Sequence, residues 1–174
     1  MCHSIARVIA RCAPLTVLAV ILLAWGDGAA VTAPSVASHT RSPARTAGLT
    51  DPDVASFVKL MNRHRISIGL SPLVWDSRAA AVAEAHSQDM SDQDYLTHGW
   101  SGGGSTWNRL AARGVTYSRA GENIAWGQPT GSAVLTAWLR SPGHRENIEN
   151  ARYTHHGVGK VGTYWTHIFL RPRR

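Results

Sequence analysis

Past its first fifty residues, the chain is a run of short segments, each with its own hydrophobic period. Val54, Phe57, Val58 and Met61 fall at i, i+3, i+4 and i+7, one apolar face of a helix. Thr50 or Asp51 can cap that helix, Pro52 suits its first position, and Gly69 lies beyond its end. Residues 70–75 read as a short extended piece: Pro72 opposes helix, and Leu73 and Trp75 alternate inward. A second helix follows, capped by Ser77, with Ala79, Val82, Ala83, His86 and Met90 on one face. His86 on that face reads as a hydrogen-bonded core histidine. Residues 99–104 form a glycine-rich loop, Ser105 caps a short helix carrying Trp107, Leu110 and Ala111, and Gly114 closes it. Residues 115–124 read as extended. Residues 132–140 read as another helix, with Val134, Ala137 and Trp138 facing inward, and Ser141-Pro142 starts a further short helix through Asn147. Residues 157–161 and 164–169 alternate like strands around Gly162-Thr163, a tight antiparallel hairpin. Helices first and a hairpin last predict an α+β fold, with helices packed over a small antiparallel sheet.

The first thirty residues change the picture of where this domain works. Arg7 and Arg11 precede an uncharged apolar run from Leu15 to Trp25, and Gly26, Gly28, Ala29 and Ala30 follow. Positive, apolar, then small is the order of a secretory signal peptide, and the run is short for a membrane anchor, the alternative reading. Cleavage after Ala30, or a few residues earlier, fits equally. Both cysteines, Cys2 and Cys12, lie in this leader, so the exported chain is expected to hold together without a disulfide. Residues 31–50 are rich in Ala, Ser, Thr, Pro and Arg, lack apolar periodicity, and read as a disordered linker. The domain then runs over 51–170 and a basic tail over 171–174. No transmembrane segment is expected in the mature protein.

The chain carries 18 Lys+Arg against 11 Asp+Glu, a net charge of +7. Export and the lack of an arginine stripe with interleaved aromatics argue against nucleic acid. A solvated basic surface is the plain reading, and attraction to anionic wall polymers or lipid head groups is the functional one.

Candidate chemistry sits at element boundaries. His98 ends the second helical region, Glu122 stands in Gly121-Glu122-Asn123-Ile124, and His144 follows Ser141-Pro142-Gly143. Two imidazoles and a carboxylate can hold zinc with an open position for water. With Ser141 as N-cap, His144 is the third helical residue, where the positive helix end favours the neutral, metal-binding ring. Two alternatives stand beside this: a weak or adventitious site, or a structural network in which Glu122 bonds backbone N–H groups or pairs with Arg145. Asn123 reads as closing a turn through backbone bonds. His155 and His156 read as exposed, since neighbours on a strand point to opposite faces. Ser101 and Ser105 lie near His98, without the strained elbow of a serine nucleophile.

The segments MNRHRISIGLSPLVWD, AEAHSQDM, GENIAWG, AWLRSPGHRENI, GVGKVG and YWTHIFL occur in one order with ordinary spacing. Together they resemble the CAP superfamily, also called the SCP domain, over about residues 52–170. The secreted, disulfide-free bacterial branch is the most similar. The resemblance implies an α–β–α sandwich with a large open cleft. In that family the cleft carries two His and two Glu; His98, Glu122 and His144 match three of them. The second Glu of animal and plant members falls at Ser141, so this chain lacks it, and Glu146 lies on a different side of the helix.

The expected function is a secreted or envelope-associated binding module. Its cleft, rimmed by Trp100, Trp107, Trp126 and Ser141, would take a lipid-like or anionic cell-envelope ligand. A metal-dependent, peptidase-like hydrolase with Glu122 as its candidate catalytic group is the alternative, weakened because Glu122 cannot easily serve as both ligand and base. A structural or interaction module is the third reading.

Overall fold

The computed structural model describes residues 49–173. The expected leader, nearly all of the linker and the end of the tail lie outside them. The helices are α1 Pro52–Ser67, α2 Ser77–Gln93, α3 Thr106–Ala112, α4 Gly131–Arg140 and α5 Pro142–Glu149. The strands are β1 Val74–Trp75, β2 Tyr117–Trp126, β3 His155–Val161 and β4 Tyr164–Pro172. The helix starts have local causes. Asp51 accepts hydrogen bonds from the N–H groups of Asp53 (2.7 Å) and Val54 (3.2 Å), with Pro52 at the first position. Asp76, rather than Ser77, caps α2 through the N–H groups of Arg78 and Ala79. Such a cap stabilises its helix by about 1 kcal/mol.

The sheet has the order β1-β3-β4-β2. The expected hairpin is there as β3–β4, with Val161 opposite Tyr164 across Gly162-Thr163. β2 runs antiparallel to β4, placing Glu122 opposite Ile168 and Asn123 opposite His167. β1 pairs with β3 in parallel, so the sheet is mixed rather than purely antiparallel. A parallel partner needs a long crossover, and α2 with all that follows supplies it.

Helices cover both faces. α2 lies on β3 and β4, where Gly157 and Gly159 present bare backbone: a Cβ on either would run into the α2 backbone at Ala80 or Glu84. Ala79, Val82 and Ala83 of α2 pack with Ile168 and Leu170 of β4 in that layer. On the opposite face α1, α4 and α5 bury Phe57, Met61, Val134, Trp138 and Ile148 against Val158, Trp165 and Phe169. Phe57 meets Trp138 edge-on, ring centroids 5.4 Å apart, worth about 1 kcal/mol beyond buried area. The result is the expected α–β–α sandwich.

One histidine expected at the surface belongs to this core. His156 is fully buried, not exposed, because helices cover the face it points to; His155 is half-buried. His156 Nδ1 lies 3.1 Å from His167 Nε2 of β4. His86 is buried as expected, but neither ring nitrogen reaches a hydrogen-bond partner; it stacks on Trp100 instead, centroids 4.5 Å apart.

Candidate functional site

β2 is an edge strand, and the candidate site is built along it. Glu122 is held by the strand with its side chain 3% exposed. Its carboxylate is fully engaged: Oε1 lies 2.7 Å from His98 Nδ1, and Oε2 accepts from Thr106 Oγ1 at 2.6 Å. Trp100 Nε1 donates in turn to Thr106 Oγ1 at 3.4 Å. A polar chain therefore runs from the buried indole through Thr106 and Glu122 to His98, whose side chain is 62% exposed. With Nδ1 committed to the carboxylate, Nε2 is the ring nitrogen that His98 has left for another partner. The hydrogen bond to Glu122 raises the His98 pKa, partial burial opposes it, and the Glu122 charge adds to the rise.

The loop carrying His98 is pinned rather than loose. Asp89 of α2 accepts from the Ser101 N–H at 3.0 Å and from the hydroxyls of Ser101 and Tyr95. Gly99 pairs with Ser105, and Ser105 forms a reciprocal capping box with Asn108 at the start of α3. That start delivers Thr106 to Glu122. Both serine hydroxyls near His98 are thus spent on structure.

His144 arrives from the other layer. It is the third residue of α5, as expected, although the Ser141 side chain makes no capping bond. Asn123 fixes α5 to β2: its Nδ2 donates to the His144 carbonyl at 2.9 Å, and its Oδ1 accepts from Asn147 Nδ2 at 2.8 Å. This strand-to-helix clamp replaces the turn-closing role read from the sequence. Burial lowers the His144 pKa, and the His98 charge lowers it further, so the two rings sense each other across the β2 edge. Arg145 turns to the Leu139 carbonyl, not to Glu122.

Among the described residues, no three His, Cys, Asp or Glu side chains gather as a metal-binding group. Glu122 stands behind His98 instead of beside it, so a cation in the cleft would meet at most two imidazoles. That is one short of the three protein ligands of a catalytic zinc. The residues as arranged do not fit such a centre.

Two hollows follow the strand. One, about 380 Å³, is lined by His98, Gly99, Gly104, Ser105, Thr106, Trp107 and Glu122. The other, about 280 Å³, is lined by Leu96, Ile124, Ala125, Trp126, Gln128, Ala137, Trp138, Ser141 and His144. Glu122 and Ile124, two residues apart on one face of β2, put one side chain at each hollow; the polar groups of the first are His98, Ser105, Thr106 and Glu122, those of the second are Gln128, Ser141 and His144, and most of the exposed lining of both is apolar. Trp107 (38% exposed) and Trp126 (56%) stand at these hollows as expected. Trp100 does not: it is 8% exposed, stacked on His86 and covered by the Arg109 guanidinium, 3.4 Å from the ring centroid. Thr106, Asn123 and Asn147 carry the site's support. Nothing in their sequence spacing announces it, because each acts across layers.

Residues 58–168 match the family described as the cysteine-rich secretory protein family, CAP. The uncharacterized protein YkwD of Bacillus subtilis is 39% identical over 140 residues, 79% of this chain and 54% of YkwD. The uncharacterized membrane protein YlbC of the same organism is 41% identical over 112 residues, 64% of this chain and 32% of YlbC. The chain thus spans about half of one relative and a third of the other. A crystal structure of an extracellular protein containing a SCP domain from Bacillus anthracis superposes with a TM-score of 0.65 at 38% identity. That match covers 67% of this chain and 39% of the other. With the α–β–α layers in place, the GENI segment on β2 and the SPGHR segment at the start of α5, this chain belongs to the CAP family.

Proposed function

We propose that the chain is an exported ligand-binding domain that takes a lipid-like, cell-envelope molecule along the edge of β2, and that it is not a hydrolase. The observation that carries this reading is the pairing of the two hollows. An amphipathic ligand could set a polar group against His98 and Trp107 and its apolar part against Ile124, Trp126 and Trp138. Export is supported by the residue order of the leader and by the likeness to the Bacillus anthracis protein, itself described as extracellular. YlbC is named a membrane protein; in this chain, no helix among the described residues is long and apolar enough to cross a membrane.

The peptidase-like alternative has one observation in its favour. An exposed His98 backed by a buried Glu122 is the arrangement of a general base. Neither serine near His98 is free to serve as its nucleophile, since Ser101 Oγ bonds Asp89 and Ser105 Oγ bonds Asn108, so this route would depend on a water molecule. A cation held by His98 and His144 alone would be weakly bound and would supply only a polarising charge to a ligand oxygen.

The test uses 1-decanoylglycerol, a neutral amphipath that also contains an ester. Calorimetry should show saturable binding by the protein, weakened about tenfold, or about 1.4 kcal/mol, by Trp126→Ala. Glu122→Gln should leave binding within about twofold. Release of decanoate that disappears in His98→Ala would establish hydrolysis and overturn the reading, as would the absence of binding.

A further inference from the structure

At the opposite edge of the sheet, beside β1, lies another pocket, of about 390 Å³. The loop after α1 and the stretch between α5 and β3 enclose it, and Arg65 lines it. Arg65 is 1% exposed. Its Nε donates to the Ser71 carbonyl at 3.0 Å, and its Nη1 donates to the carbonyls of Ile148 (2.5 Å) and Asn150 (3.2 Å). Nη2 has no acceptor among the described residues. Nor does any carboxylate among them pair with this cation. Glu149, between the two carbonyls that Nη1 engages, is turned to His64 at 2.8 Å.

A guanidinium cannot shed its proton, and a buried charge is costly unless something of opposite sign meets it. Carbonyls satisfy three of its N–H groups without supplying that charge. The uncancelled field reaches the core, where it helps keep His156 and His167 neutral. Two more polar residues line the same pocket, Thr154 and His155, joined by a hydrogen bond between Oγ1 and Nδ1 at 2.9 Å. The rest of its wall includes Leu70, Pro72 and Val74, and Val74 is 56% exposed.

We propose that this pocket is an oxyanion site, in which Nη2 of Arg65, Thr154 and His155 take one carboxylate or phosphate group on an apolar stem that lies against Leu70, Pro72 and Val74. It is separate from the β2 cleft and does not depend on the function proposed for that cleft.

Amide and arginine-side-chain NMR on the protein, titrated with octanoate, octyl phosphate, acetate and octanol, tests it. Octanoate or octyl phosphate should shift the Arg65 Nε–Hε signal and the amides of Leu70, Ser71, Thr154 and His155 saturably. The tighter of the two identifies the oxyanion, and either order supports the site. Acetate and octanol should each bind at least about tenfold more weakly. Thr154→Val with His155→Ala should weaken octanoate by about tenfold, and Trp126→Ala should not. These variants leave Arg65 and its bonds to the Ser71, Ile148 and Asn150 carbonyls in place. An unmoved Arg65 signal, or octanol binding as well as octanoate, would overturn the proposal.

Discussion

His156 and His167 are two neutral rings in an aromatic setting. Phe57 meets His167 edge-on at 5.1 Å, and Trp75 meets His156 at 5.4 Å. Burial pushes the His156 pKa down to about 3, and it pushes His167 well below its ordinary value; the Arg65 charge acts in the same direction on both. His156 Nε2 and His167 Nδ1 have no partner. When unfolded, each ring takes up a proton near pH 6.5; when folded, it refuses one until far lower. Stability from these rings is therefore complete above about pH 6.5 and falls as the pH drops, by up to about 1.4 kcal/mol per pH unit for each ring. His86, lowered by burial, adds in the same sense. His98, raised by Glu122, opposes: its contribution is complete below its unfolded value and is lost as the pH rises through its folded one. Urea unfolding at pH 7 and pH 5 should show a marked loss at the lower pH; equal stability would contradict the burial described. The alternation of His155 and His156 was legible in the sequence, but the burial of His156 was not. Period-two reasoning gives opposite faces, and it takes a sheet covered on both sides to bury either one. Trp100 misled for a related reason: glycines on both sides suggest an open loop, while Arg109 of α3 closes over the ring.

Among the elements, α2 and β3 show how tightly the layers are set. The α2 backbone rests directly on Gly157 and Gly159, a contact that no side chain on β3 could permit. Gly159→Ala is expected to cost about 3 kcal/mol, because the obstructing atoms belong to the backbone of Glu84 and cannot rotate away. Chemical denaturation of that variant checks the expectation, and a loss under about 1 kcal/mol would mean that α2 can slide. The helices and the hairpin were legible because their apolar periods are strong. The parallel pairing of β1 was not: two residues, Val74 and Trp75, carry no signal of their partner. The Asn123–Asn147 clamp escaped for a similar reason, since it joins β2 to α5 across 24 positions.

On the scale of the molecule, a single mixed sheet sets the geography. Its β2 edge carries the His98–Glu122–Thr106 chain with His144 beside it, and its β1 edge carries the Arg65 pocket. The motifs picked out His98, Glu122 and His144 for one cleft; in the structure His98 and Glu122 line one hollow beside β2 and His144 lines the other. What the motifs left open was the order of contact, with Glu122 supporting His98 from behind. The proposed function requires that an amphipathic molecule lie along that edge. Amide and indole NMR of the protein titrated with 1-decanoylglycerol tests this most directly. Saturable shifts should be confined to His98–Gly99, the Trp107 and Trp126 indoles, Ile124 and His144, with the Arg65 region still. Shifts centred anywhere else, or none, would contradict it.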